Sequence, residues 1–458
     1  MASPIKYYST NLKAEKVSFR EALLKGLAPD GGLYMPEIIP LFATGELKEF
    51  TGMPYQEIAY HIASKFLHGE IPDTDLKSIT DDAYNFPVPL EKVSDRKFIM
   101  RLDQGPTASF KDFAARMMGR LMQYFLQKKN KQMLILTATS GDTGSAIANA
   151  FYGLENIKVV VLFPENEVTE RQRKQMTTLQ KNIRIVALSG KFDDCQALVK
   201  KAFSDPELDD LSLSSANSIN IGRLLPQSMY YVYSFLHLTD SSAEDTVIFS
   251  VPSGNFGDLM GGLIAMKMGL PVKRFAVCTN ANDEVPVYWQ TGKYSTIVPS
   301  LNCISSAMNV GHPSNMARIV SLYGGVMNER GIISGEPRLD DMRKDMYAVS
   351  ISDSETRETI KKVYKKHHLL LEPHGAVAWA GLMNNFEIHL SDADPDQLCV
   401  SLETAHPAKF PEEIRALLGV EPDLPDSLKG LDEKEEKFEY LKNDYDQFKL
   451  FLKDNYKI

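Results

Sequence analysis

The chain has 458 residues, 43% of them hydrophobic and 24% charged, and a formal net charge of −9. That length is too great for one compact core, so a soluble globular protein of two or three domains is expected, and the acidic balance without a basic stripe argues against a nucleic-acid partner. The four cysteines, Cys195, Cys278, Cys303 and Cys399, are widely spaced with no CxxC pair. That argues against a zinc site or a disulfide scaffold and fits a reducing compartment. The N-terminal stretch lacks an apolar core of signal-peptide length and no run reaches the length of a membrane span, so a cytoplasmic protein is expected.

Residues 1–97 read as an N-terminal unit, mainly helical. Val17, Phe19, Leu23, Leu24 and Leu27 share one helical face. PDGGLYMP (29–36) is turn-rich and expected to be a loop. Residues 55–69 read as a second amphipathic helix closed by Gly69. His61 and His68 lie on it, without the further partners that metal ligation needs, and are assigned to packing or surface.

From about residue 98 strands and helices alternate, which predicts parallel sheets with helices on their faces. KFIMRLD is an apolar run before the loop GPTASFKDF (105–113), and a helical segment follows. KQMLILTAT, IKVVVLFP and IRIVALSG read as strands, each followed by a helix. LSLSSANSINIGRLLPQ (211–227) is polar and loop-like, and SMYYVYSFLHL is helical. Residues 245–271 read as strand, glycine-rich turn and helix, and VKRFAVCTN as the next strand. LLLEPHGAVAWAGLMNN (369–385) reads as a short strand joined to a helix of small residues, and residues 397–419 as strand, polar loop and helix. In the tail, Phe438, Leu441, Tyr445 and Phe448 are spaced like one packed helix face.

Several of these turns carry chemistry. Lys111 follows small and hydroxyl residues and opens a helix, where the helix dipole favours a free amine over an ammonium. A free amine condenses with an aldehyde; a solvated first-turn lysine is the other reading. In VPSGNFGD (251–258), between strand and helix, Gly254 and Gly257 let the backbone turn its amides toward one point, which suits a phosphate. Purely steric glycine turns are common there too. TATSGDTGSA (137–146) is a second such turn, offering Ser140, Asp142 and Thr143, with Asp142 equally suited to capping the helix. Two such loops point to a ligand with two anionic ends. SANSINIGR (215–223) adds Ser218 and Arg223, able to make charge-assisted bonds to an anion. ETAHPAKF (403–410), after a strand end, offers Thr404, His406 and Lys409, and LEPHGA offers Glu372 and His374.

In this order, FKDF, ATSGDTG, SANSINIGR, SGNFGD and TAHPAKF closely resemble the threonine synthases, pyridoxal-phosphate enzymes of the tryptophan-synthase-β fold group. The resemblance covers nearly the whole chain, including YYSTN and GLAPDGGLYMP. It implies a two-lobed α/β protein of fold type II with parallel-rich open sheets. The large catalytic lobe would take residues 98–129 and 211–458, and a small α/β lobe residues 130–210. It further implies that Lys111 carries pyridoxal 5′-phosphate, that Gly254, Asn255, Phe256, Gly257 and Asp258 hold its phosphate, and that Thr404 contacts the pyridine nitrogen. Ser140, Asp142, Thr143, Ser218, Asn220 and Arg223 would bind substrate, with Asp142 standing where many relatives in the wider fold group carry Asn. The implied reaction converts O-phospho-L-homoserine and water to L-threonine and phosphate, in a monomer or homodimer.

Three rivals remain open. A threonine or serine dehydratase needs no second phosphate site, so Ser218 and Arg223 discriminate against it. A phospholyase would release phosphate from the same substrate and give 2-oxobutyrate. A cofactor-free binding or regulatory relative would have no use for an intact Lys111 and glycine cradle.

Overall fold

The computed structural model describes residues 3–139, 141–239, 245–388 and 396–456. At the N-terminus, β1 (Tyr7–Ser9) pairs antiparallel with β2 (Tyr34–Pro36), so the expected loop at 29–36 ends in a strand. Between them α1 (Phe19–Lys25) starts where Ser18 and Glu21 satisfy each other's backbone N–H groups in a capping box. The short α2 (Glu46–Glu49), then α3 (Tyr55–Leu67) and α4 (Asp73–Ala83), complete this region. His61 stacks on Phe50 with ring centroids 4.7 Å apart, a packing role. The region does not fold apart from the rest. Tyr55 meets Tyr84 at 4.9 Å and Phe113 at 5.3 Å, and one hydrophobic core runs from Tyr7 to Leu402.

Next come β3 (Leu90–Ser94) and β4 (Lys97–Arg101), an antiparallel pair. The expected boundary at 97 therefore falls inside a sheet. After α5 (Lys111–Lys129), three buried strands alternate with helices: β5 (Met133–Ala138), α6 (Asp142–Ala150), β6 (Ile157–Pro164), α7 (Glu170–Thr177), β7 (Ile183–Ser189) and α8 (Phe192–Phe203). Such near-continuous apolar runs suit strands covered on both faces. Two-residue β8 (Leu213–Ser214) precedes α9 (Ile221–Leu224) and α10 (Met229–Leu238).

A second alternating stretch has β9 (Val247–Pro252), α11 (Gly257–Lys267), β10 (Val272–Thr279), α12 (Glu284–Thr291) and α13 (Met316–Leu322). A small hairpin of β11 (Val326–Met327) and β12 (Ile333–Gly335) leads to α14 (Leu339–Asp345), β13 (Met346–Ser350), α15 (Asp353–His367) and α16 (Pro373–Ile388). The expected strand before α16 does not form; Leu369, Leu370 and Leu371 pack against α16 and its neighbours without a ladder. The chain closes with β14 (Leu398–Glu403), α17 (Pro411–Leu418), β15 (Glu439–Lys442) and α18 (Tyr445–Asn455).

Two sheets result. The larger has the order β13-β10-β9-β14-β4-β3, parallel except for β3. The smaller has the order β15-β7-β6-β5-β8 and is parallel throughout. The tail, expected with the large lobe and as one helix face, instead adds β15 to the smaller sheet. There Phe448 and Leu452 of α18 join its core.

Helix α11 lies close to the turn at Leu225–Ser228 because it carries Gly261 there. A Cβ on Gly261 would come within 2.7 Å of the Gln227 carbonyl carbon and Cβ. Gly261→Ala is expected to destabilise the fold by about 1–3 kcal/mol through overpacking, read as a lowered urea midpoint.

Candidate active site

The site forms where three parallel strands end side by side. β14 runs between β4 and β9, and all three point the same way. Beyond β4 the chain enters the lysine loop, beyond β14 it reaches Thr404, and beyond β9 it makes the glycine turn. Main-chain bonds stitch the first two together: Leu102 N–H donates to the Glu403 carbonyl at 3.0 Å, Phe110 N–H to the Thr404 carbonyl at 2.9 Å, and His406 N–H to the Ala108 carbonyl at 3.1 Å. Asp112 fixes the loop from inside, accepting from Thr107 N–H at 2.8 Å and Thr107 Oγ1 at 2.6 Å.

Lys111 is the first residue of α5, as expected. Part of its side chain faces open space, yet protein crowds the amine, whose Nζ lies 5.1 Å from the Phe110 ring centre. Burial pushes its pKa down, and the positive charges of Lys409 and Arg223 push the same way. The lysine is thus biased toward the free amine.

The glycine turn shows why glycine stands at its start. A Cβ on Gly254 would lie 2.9 Å from the Ala307 carbonyl oxygen. Phe256 has a left-handed backbone, φ 61°, a strain of the kind that gathers at functional sites. Helix α11 begins at Gly257 without a side-chain cap, which leaves its first N–H groups for an anion. The Asp258 carboxylate turns away to Tyr230 and to Tyr231, whose hydroxyl donates at 2.7 Å, and burial raises its pKa to about 6. Asp258 therefore offers the turn its backbone, not its charge.

At the second turn, Gly141 has φ 138° and no room for a Cβ, which would meet Gln172 at 2.6 Å. Ser140 lies outside the described residues. Thr143 is half-buried in the first turn of α6. Asp142 does not cap the helix. Its Oδ1 accepts from Lys409 Nζ at 2.6 Å and from Gln172 Nε2 at 3.0 Å, and those partners hold its carboxyl far below the usual range. His406, beside this pair, caps the turn at Pro407–Lys409 by accepting from Ala408 N–H, and burial lowers its pKa to about 4.

In the 215–223 stretch, Arg223 is buried, which lowers its pKa to about 10. It donates to the Ala216 carbonyl at 2.7 Å, and its Nε has no partner among the described residues, a donor left for an anion. Ser218 is half-buried, its Oγ 3.4 Å from Ser314 Oγ. Asn220, expected among the substrate contacts, is spent elsewhere. Its Oδ1 accepts from Gly222 N–H, and its Nδ2 donates to the carbonyls of Leu23 and Ser215 at 2.9 and 3.0 Å. Its side chain shapes the loop.

Sequence reading missed the piece that joins these loops, residues 314–318. Asn315 Nδ2 donates to the Asn255 carbonyl at 3.0 Å and to the Ser218 carbonyl at 3.3 Å. Ser314 Oγ donates to Asn255 Oδ1 at 3.2 Å. Behind them Arg318, fully buried, gives every hydrogen bond to a neutral oxygen: Tyr34, Ser218 and Ile219 carbonyls at 3.1, 3.0 and 2.6 Å, and Asn315 Oδ1 at 2.6 Å. Burial pushes its pKa down to about 9. The one signal in the sequence is Ser-Asn before a helix, the mark of an ordinary helix start.

Glu372 and His374 form a buried pair at 2.5 Å, and His374 Nε2 accepts from Ala307 N–H at 3.0 Å. Since Nε2 accepts, the ring proton is on Nδ1, facing Glu372. The pair thus braces the segment that abuts Gly254. Among the described residues no group of His, Cys, Asp and Glu could hold a metal ion, and no helix is long and apolar enough to cross a membrane.

These residues fit pyridoxal phosphate: an amine biased to its free form, uncapped helix amides for a phosphate, and an unpaired guanidinium N–H for a second anion. A family profile described as "Pyridoxal-phosphate dependent enzyme" matches residues 85–400. Fold and site are those of a pyridoxal-phosphate-dependent enzyme of fold type II. Profiles described as "Threonine synthase N terminus" and "Threonine synthase, C-terminal" match residues 6–84 and 383–452. The threonine synthase of Haemophilus influenzae is 40% identical over 448 residues, 97% of this chain and 99% of that one. The crystal structure of PLP-bound threonine synthase from Brucella melitensis has a TM-score of 0.91 at 35% identity, covering 98% of this chain and 99% of that one. The yeast threonine synthase structure gives 0.89 at 32% identity, with 98% of each chain covered. The chain belongs to the threonine synthase family.

Arg318→Lys loses the planar fork that reaches four acceptors and is expected to leave the Tyr34 or the Ile219 carbonyl without a donor, at about 1–3 kcal/mol. A thermal midpoint lowered by several degrees and weaker pyridoxal-phosphate binding by the apoprotein, read by fluorescence titration, check this.

Proposed function

We propose that this chain converts O-phospho-L-homoserine and water to L-threonine and phosphate, with Lys111 as the catalytic lysine. The observation that carries the reading is the side-by-side ending of β4, β14 and β9, which gathers the lysine, the Thr404 hydroxyl and the glycine turn. When bound, pyridoxal phosphate supplies an aldehyde for an amine and a ring that takes up the electrons of a broken C–H bond.

The chain's own residues do the rest. The α11 amides at Gly257, with Gly254, Asn255 and Phe256, would hold the cofactor phosphate, and Thr404 would offer the ring a neutral hydroxyl. Lys111, in its free-amine form, takes the proton from the substrate α-carbon, passes it on, and then takes one from the β-carbon; one proton returns to the γ-carbon once phosphate has left and one to the α-carbon after hydration. Arg223, with Ser218 and Thr143, stabilises the departing γ-phosphate, whose charge grows as its bond breaks. Ser140 belongs to the same proposed set. Asp142 serves it through Lys409 and Gln172, and Asn220 leaves the contact set for the reason given above. Asn315 and Arg318 hold the two anion loops in register. Water then adds at the β-carbon.

A cytoplasmic location and a monomer or homodimer belong to the same reading. So does the two-lobed division, 98–129 with most of 211–458 against 130–210, amended so that the tail strand counts with the small lobe and residues 90–97 with the large one.

Lys111→Ala is expected to abolish the visible cofactor band and the cofactor attachment that borohydride reduction makes permanent, and to lower turnover by a factor of about 10²–10⁴. For the wild type, threonine and phosphate should appear in equal amounts; 2-oxobutyrate in place of threonine would make the protein a phospholyase.

A further inference from the structure

Lys409 stands out as a buried cation that the reaction above uses only as a partner of Asp142. Its side chain is 0% exposed, and its Nζ lies 2.6 Å from Asp142 Oδ1 and donates to the Thr107 carbonyl at 3.0 Å. The two partners come from different sheets: Asp142 opens α6 beyond β5, and Lys409 ends the turn beyond β14. Pairs this deep are not decorative, because removing one partner leaves a charge in a dry place.

We propose that Lys409 is a positioning residue for Lys111: by occupying the Asp142 carboxylate, it stops that carboxylate from fixing Lys111 as an ammonium. The proposal rests on Lys111 being the cofactor lysine. The charged groups acting on the Lys111 amine are Asp142, Lys409, Arg223, Glu372 and Asp258. Asp142 and Glu372 favour its ammonium, while Lys409 and Arg223 oppose it. Two cations act on Asp142, Lys409 first and Lys111 second. With Lys409 gone, Lys111 is the cation left acting on that carboxylate. An ammonium has no lone pair, so attachment to an aldehyde slows. Asp142, which looked like a ligand contact or a helix cap, is by this account the source of a charge that has to be answered.

The test follows the amine itself rather than turnover. Apoprotein is mixed with pyridoxal phosphate across a pH series and quenched with borohydride. Amine and aldehyde condense with loss of water, hydride reduces the resulting C=N bond, and mass spectrometry locates the modified lysine. Lys409→Met should move the pH midpoint of Lys111 labelling up by about one unit and slow labelling at pH 7 about tenfold. Asp142→Asn should move the midpoint down, and the double variant should return it close to that of Asp142→Asn alone. Lys409→Arg keeps the charge and should keep the midpoint even if the fold is weakened. A midpoint unmoved in Lys409→Met and Asp142→Asn, with only thermal stability reduced, would overturn the proposal and leave a purely structural bridge. Label on a lysine other than Lys111 in the wild-type protein would overturn the catalytic assignment instead.

Discussion

The parallel pairing of β14 between β4 and β9 is the constraint on which the site depends. A parallel sheet sends neighbouring strands out at the same edge, so loops from three remote parts of the sequence must emerge together. The main-chain bonds from Leu102, Phe110 and His406 extend that pairing past the last formal strand residues and into the lysine loop. The reactive groups thus inherit the stiffness of the sheet. α16 seals the opposite face with small residues, and Gly381 lies where a Cβ would run into Cys278. The sheet cannot shift without disturbing that packing.

Around this edge the protein buries charge in an uneven way. Glu403 is fully buried beside Glu372, and burial together with that neighbour raises its pKa well above normal; Arg101 answers part of the charge. On the anion side the pattern reverses, since Arg318 and Arg223 are buried among neutral oxygens. If two phosphates enter here, as proposed, the site gains from cations with no ion pair among the described residues. The incoming dianions then meet positive potential in a medium of low dielectric, where it acts strongly.

Much of the fold was legible. Continuous apolar runs such as IKVVVLFP and small-residue turns such as SGNFGD are local patterns, and each stands where the residues place it. The lysine at a helix start was legible for the same reason. Contacts between distant segments were not. Arg318 bonds to carbonyls 284, 100 and 99 residues away, and nothing in the neighbouring residues announces that. The internal bonds of Asn220 were not legible, because a polar residue in a polar loop gives no sign of whether its amide is free. Short strands were lost similarly: β2 and β15 have three and four residues, too few for a period, and their pairing fixes them. The spacing of Phe438, Leu441, Tyr445 and Phe448 fits one helix, yet the chain divides it between β15 and α18, both of which reach the smaller sheet.

That last strand has a consequence for how the molecule is made. β7 is flanked on one side by β6, and its other side is covered by residues 439–442, near the chain's end. During synthesis the ladder groups on that side of β7 stay bare until residues 439–442, far along the sequence, have been made. A bare parallel edge is a template for the wrong partner. Changes that remove or unseat residues 439–442 therefore act on aggregation during biogenesis, at a point far in sequence from the chemistry they leave untouched.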